Sequence, residues 1–203
     1  MVELMLASSS PRREQILSDL GLQFESFPVN FEEKMEGMEP RELVVYNALG
    51  KARTLLKTRK DQLEEIKHKE ALTLSGIYIG CDTVIALNAE ILGKPNNSER
   101  AKTMLQKLSG KYHSVFSGLA VIDAKTNREM FGYEETKIKF RELSNKEIDD
   151  YITTGEPLDK AGAYGIQGRG ELFVEKIEGS YSNVVGLPKS LLIRFLSEMR
   201  AYI

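Results

Sequence analysis

The chain contains no tryptophan, one cysteine and two histidines in 203 residues, and its 28 Lys and Arg are matched by 30 Asp and Glu. Each scarcity removes a class of chemistry. A single thiol, Cys81, closes no internal disulfide and supplies no multi-thiolate zinc site. It predicts a reducing compartment, most simply the cytoplasm. The two histidines, His68 and His113, lie outside the polar clusters described below. A Ser–His–Asp hydrolase or a histidine-rich zinc site therefore lacks its parts. Without tryptophan, stacking on a base falls to Tyr or Phe. A net charge of −2 is not that of a protein gripping a polyanion over its whole surface. No nucleic-acid partner is expected, and phosphate binding must be local. No apolar run approaches the ~20 residues that span a bilayer. The apolar opening, Met1 to Ala7, carries Glu3 and breaks into three serines, too short for a signal peptide. No membrane partner is expected, and no GxGxxG follows a strand to mark a dinucleotide site.

What is present reads as an α/β domain. Val2 to Ala7 predicts a strand, Ser10 an N-cap and Pro11 the first residue of a helix ended by Gly21. Phe24 to Phe31 reads as extended. Pro40 opens a second helix with Leu43, Val44, Ala48, Ala52 and Leu55 on one face. Nine of the fourteen residues from Lys57 to Glu70 are charged, five basic and four acidic, which predicts a solvated helical extension. Ile77 to Cys81 predicts a strand, with Asp82-Thr83 at its end. Val84 to Leu87 and Glu90 to Leu92 read as a hairpin around Asn88-Ala89. Ser98 is the expected cap of a helix ending at Gly110. Val115 to Asp123 and Glu129 to Phe140 are long strands, and Ser144 with Glu147 forms a capping-box pattern for a helix to Thr154. Between Gly155 and Pro188 lie seven of the sixteen glycines and one strand candidate, Leu172 to Ile177. Lys189 to Arg200 closes as an amphipathic helix. No linker composition divides the chain, so residues 1–203 are expected to form one domain.

Four clusters could carry chemistry. In Ser8-Ser9-Ser10-Pro11-Arg12-Arg13, a strand-to-helix turn offers free N–H groups, hydroxyl donors and two guanidinium forks, a phosphate cup without a P-loop. The same residues also read as a capped helix with surface arginines. Asp82 could bind a divalent cation, accept a proton from water, or simply cap a turn. Glu32 and Glu33 could hold Mg²⁺ near a phosphate, although such pairs are more often solvated. Lys51 lies on the second helix, and Lys94 is held in a Gly93-Lys94-Pro95 turn. Between Asp159 and Gly168, small residues permit close approach to a ligand. Asp159, Lys160 and Gln167 add an acid, a cation and an amide able to read a base edge.

Five segments, Leu6 to Arg13, Cys81-Asp82-Thr83, Gly93-Lys94-Pro95, Asp159 to Gly168 and Gly179 to Pro188, resemble in order the motifs of the Maf family. These are nucleoside triphosphate pyrophosphatases linked to septum formation in bacteria. The resemblance implies a long twisted mixed sheet with helices and two lobes around a central cleft, like the inosine triphosphate pyrophosphatases. It implies Asp82 as catalytic proton acceptor and Arg12, Thr83 and Gln167 as the positions that choose substrate, here in the dTTP/UTP combination rather than that for 7-methyl-GTP. It places Ser8, Ser10, Arg12, Arg13, Lys51, Lys94, Asp159 and Lys160 around the nucleotide, and Glu33 and Asp82 at a divalent cation, Mg²⁺ or Mn²⁺. A homodimer is also implied. Ser9 and Cys81 depart from the family's usual Gly or Ala and Ala, but both stay small. The Lys57–Glu70 stretch looks longer than in bacterial members. The implied substrates extend from dTTP and UTP to CTP or modified pyrimidine nucleotides, and the rival readings are the same reaction on 7-methyl-GTP or inosine-type purine triphosphates and a nucleotide-binding regulator without turnover.

Overall fold

The computed structural model describes residues 3–66, 74–88 and 90–199. Val2 of the first predicted strand, Ala89 of the hairpin turn, residues 67–70 of the charged run, His68 among them, and Arg200 of the closing helix lie outside the described residues. Element order is β1 (Leu4–Ala7), α1 (Pro11–Asp19), β2 (Phe24–Phe27), α2 (Pro40–Ile66), β3 (Ile77–Leu87), β4 (Glu90–Leu92), α3 (Ser98–Leu108), β5 (Tyr112–Asp123), β6 (Glu129–Phe140) and α4 (Asn145–Ile152). Three short 3₁₀ turns (Glu156–Asp159, Ala161–Ala163, Arg169–Phe173) lead to β7 (Val174–Glu178), α5 (Tyr181–Val185) and α6 (Lys189–Glu198). The strands form one mixed sheet in the order β2-β1-β3-β5-β6-β7, with β4 paired to β3 off that path. β1 runs parallel to both β2 and β3, and β3, β5 and β6 form an antiparallel meander. Among the described residues no helix is long and apolar enough to cross a membrane.

Two cores share one face of this sheet. Leu4, Leu6, Ile79 and Cys81 pack with Ile16 and Leu17 of α1 and with Leu192, Phe195 and Leu196 of α6. Farther along the same strands, Ile85, Leu87, Val115 and Ile138 pack with α3, α4 and Tyr164. On β3 the two cores are separated by Thr83, so the molecule has two lobes with a polar seam between them. The opposite face is covered by α2, whose Leu43, Val44, Ala48, Ala52 and Leu55 are all buried, as their spacing predicts. Full burial of a Leu or Val side chain stabilises by about 1.5–3 kcal/mol, and this stripe anchors the helix. Two glycines set its distance. A Cβ at Gly80 would lie 2.0 Å from the Ala48 carbonyl oxygen, and one at Gly118 would lie 2.1 Å from that of Val44.

Several expectations are corrected. Asp82 and Thr83 do not end a strand; β3 runs unbroken from Ile77 to Leu87 and the pair sits in its middle. Extended structure after Gly21 stops at Phe27. Asn97, not Ser98, caps α3, its side chain accepting from the Arg100 N–H at 2.8 Å. That helix ends at Leu108, and α4 at Ile152. Leu172 and Phe173 belong to a 3₁₀ turn, so β7 starts at Val174. Ser10 is the N-cap of α1 in backbone geometry but makes no side-chain cap bond. The capping box of Ser144 and Glu147 is present in full.

Candidate active site

The sheet leaves an opening beside Asp82. Pairing of β1 with β3 stops at Ala7 opposite Gly80, and pairing of β4 begins at Leu92 opposite Ile85. β5 holds the other edge of β3. Cys81 to Val84 thus have no strand along one edge, and a cleft of about 750 Å³ opens there. The twelve residues that the family resemblance implies all line it: Ser8, Ser10, Arg12, Arg13, Glu33, Lys51, Asp82, Thr83, Lys94, Asp159, Lys160 and Gln167; Glu32, the other acid of its pair, does not.

Strand alternation sends Asp82 and Thr83 to opposite faces. Asp82 turns towards α2 and is 5% exposed. Its Oδ1 accepts from Lys51 Nζ at 2.7 Å and its Oδ2 from Asn47 Nδ2 at 3.0 Å. Lys51 also reaches Glu33 Oε1 at 2.5 Å, so one ammonium bridges two carboxylates. The loop bearing Glu33 is riveted by Asn47, which accepts from the Lys34 N–H and donates to the Lys34 carbonyl, both at 3.0 Å. Asn47 was not among the expected residues. The signal was there: Asn47 and Lys51, one turn apart, interrupt the buried face of α2, where an unpaired polar group is costly. Cys81 beside them is inert, since burial pushes its thiol up to about 11.

Thr83 turns towards the seam between the lobes. Arg13 lies over it, donating from Nε to the Gly186 carbonyl at 2.8 Å, from Nη1 to Ser8 Oγ at 3.2 Å and from Nη2 to Thr83 Oγ1 at 3.3 Å. Three of its five N–H donors are thereby fixed by neutral oxygens, and two remain for a ligand. Ser8 in turn accepts from the Ser10 N–H at 3.2 Å, and its carbonyl accepts from Ser26 Oγ at 2.7 Å. Arg12 and the exposed Lys94 have no ion pair among the described residues.

The glycine-rich segment forms the facing wall. Lys160 donates to Asp159 Oδ1 at 2.7 Å and to the Glu156 carbonyl at 2.8 Å. Partial burial raises the Asp159 carboxyl, but Lys160, helped by Arg12, holds it below its usual value. Gly162 donates to the Gly93 carbonyl at 3.1 Å, tying this wall to the turn that carries Lys94. Glu156 organises the rest, accepting from Tyr151 Oη at 2.8 Å and from the Arg169 N–H at 3.0 Å. No local pattern in the sequence marked Glu156. Beneath the wall, Tyr164 Oη lies 2.8 Å from Nε2 of buried His113. Burial lowers that imidazole to about 4, so it is neutral at physiological pH.

A cleft with an acid-bound ammonium on one side and arginines on the other suits a phosphorylated ligand. The model of the Maf family, "Maf-like protein", matches residues 3–199. The chain belongs to the Maf family. It is 42% identical over 199 residues to a dTTP/UTP pyrophosphatase of Dictyoglomus thermophilum, covering 97% of this chain and 96% of that one. It is 42% identical over 201 residues to a dTTP/UTP pyrophosphatase of Clostridium botulinum, covering 98% of each. A Bacillus cereus protein of the same name is 43% identical over 199 residues, covering 98% and 96%. Among solved structures, a nucleoside-triphosphatase / dITP/XTP pyrophosphatase from Mycobacterium abscessus aligns over 99% of this chain and 97% of its own, at 13% identity and a TM-score of 0.42. That likeness is too distant to carry an argument about the Maf site.

Proposed function

We propose that this chain is a nucleoside triphosphate pyrophosphatase that hydrolyses the α–β anhydride bond of dTTP and UTP, releasing the monophosphate and pyrophosphate. One observation carries the reading: the serine–arginine corner and Asp82 open onto the same cleft, beside the Asp159–Gly168 wall. The names of the curated relatives point to the same reaction and substrates. In this scheme Arg12, Arg13 and Lys94 bind phosphate oxygens and oppose the charge that grows on the pyrophosphate leaving group. Asp82 takes a proton from the water that attacks the α-phosphorus. Its oxygens each hold one donor and keep a lone pair for that water. Lys51 steadies Asp82 and Glu33. Ser8 and Ser10 shape the cup, Asp159 and Lys160 hold the opposite wall, and Gln167 with Thr83 meets the base or sugar.

The donor set fits a divalent cation that arrives with the nucleotide. Glu33 and Asp82 present carboxylate oxygens on either side of Lys51 Nζ. Mg²⁺ takes one or two carboxylates and completes its shell with phosphates and water, and Mn²⁺ suits the same oxygen ligands. Among the described residues no group of three His, Cys, Asp or Glu is gathered for a metal. When bound, the cation supplies charge neutralisation and polarises the phosphoryl group. The reading extends to residues 1–203 as one domain, a homodimer and a cytoplasmic location.

The test is pyrophosphate release from dTTP, UTP, CTP, GTP, ITP and 7-methyl-GTP with Mg²⁺ or Mn²⁺. The reading expects dTTP and UTP to turn over fastest. A purine preference overturns the substrate, and tight binding without release overturns the reaction.

A further inference from the structure

Thr83 and Ser117 stand directly opposite each other on β3 and β5, with their Oγ atoms 2.9 Å apart. Ser117 is fully buried and also lies 2.9 Å from the Asn183 carbonyl. A carbonyl only accepts, so the Ser117–Asn183 contact is a hydrogen bond only when the Ser117 hydroxyl donates to it, and Ser117 then accepts from Thr83. The one other acceptor for the Thr83 proton among the described residues is the Gly186 carbonyl, at 3.5 Å, already engaged by Arg13 Nε at 2.8 Å. Placing both hydroxyl protons on 2.9 Å contacts gives a chain of one polarity, Arg13 to Thr83 to Ser117 to the Asn183 carbonyl. The reverse polarity leaves Thr83 donating over 3.5 Å. Asn183 is itself fixed in the buried interior, donating from Nδ2 to the Val115 carbonyl at 3.1 Å and to Thr136 Oγ1 at 2.9 Å. In such a site the orientation is strongly held.

We infer that Ser117 is a positioning residue that spends the Thr83 proton inward, so that Thr83 offers a bound nucleotide a hydrogen-bond acceptor and never a donor. Arg13 takes one lone pair of Thr83 Oγ1, and one remains. The group that meets it must be a donor, as is the N3–H of uracil and thymine. The N3 of cytosine has no proton. The inference rests on the nucleotide reading above and adds the direction of discrimination and its source, a residue that does not line the cleft. Ser117→Ala lets the Thr83 proton turn outward. The UTP-to-CTP ratio of kcat/KM should then fall roughly tenfold, the scale of one unmatched buried hydrogen bond, mainly through KM. Ser117→Thr, which keeps the hydroxyl, should restore the ratio. If Ser117→Ala does not fold, the near-isosteric Ser117→Cys, a weak donor, should fall between the two. A ratio unmoved in the alanine or cysteine variant, with both substrates slowed alike, overturns the inference. Calorimetric Kd values for the α,β-imido analogues of UTP and CTP read the same ratio without turnover. A wild type that binds selectively but releases no pyrophosphate overturns the hydrolytic reading, and the inference is then judged on the Kd ratio alone.

Discussion

Asp82 and Thr83 are neighbours in one strand, yet they belong to two different kinds of site. On the α2 face, Asp82 is held by charge: an ammonium 2.7 Å away, a second carboxylate sharing it and an amide at 3.0 Å. On the other face, Thr83 is held by neutral groups, the Ser117 hydroxyl and the Gly186 carbonyl, with Arg13 the one charge. The difference teaches how a single strand serves two tasks. A charged network can give up a contact and reform it when phosphates and a cation enter. A hydroxyl network anchored in the buried interior has its directions set beforehand, which suits recognition.

The sharpest way to break this division is Asp82→Asn. It removes the proposed proton acceptor and keeps the shape, so kcat should fall ~10²-fold or more while thermal stability stays near wild type. Near-wild-type turnover in the variant would instead remove Asp82 from the reaction. His113 offers a smaller effect in the neutral half. Its folded value of about 4 lies below the ordinary 6.5, so the unfolded chain binds the extra proton first as pH falls. Stability is whole above 6.5 and is lost between 6.5 and 4, by about 3 kcal/mol or less. Urea denaturation at pH 7 and pH 4.5 should show a steeper loss for the wild type than for His113→Phe. The smallest effect belongs to Thr83→Val. It removes recognition but no chemistry, so KM for UTP should rise roughly tenfold with kcat little changed. An equal loss in kcat would merge the two faces into one catalytic unit.

Much of this was legible in the residues. The α2 stripe follows from a 3.6-residue period, and the β5–β6 pair from two long β-rich runs around a polar turn. The α4 start follows from a capping box that the structure completes. The cleft residues were legible as motifs, each a local cluster of small and polar groups. The middle of β3 was not. That strand is buried on both faces over nearly its whole length, so it lacks the polar–apolar alternation that marks a half-buried strand. Within a continuous apolar run, Asp82-Thr83 imitates a strand end. Asn47 and Glu156 were missed because their partners are distant in sequence. Asn47 meets Asp82 and Glu156 meets Arg169 only once the chain has folded. Ser117 carries no sign of its own, since its meaning comes from the register that sets it opposite Thr83.

The glycines at 80 and 118 have a consequence that reaches beyond packing. Any side chain at either position would wedge the helix off the strands and carry Asn47 and Lys51 away with it. In a survey of random variants these two sites would score as lesions of the enzyme's chemistry, although neither can donate, accept or carry a proton through a side chain. The Asp82 carboxylate is kept in register by an absence of atoms.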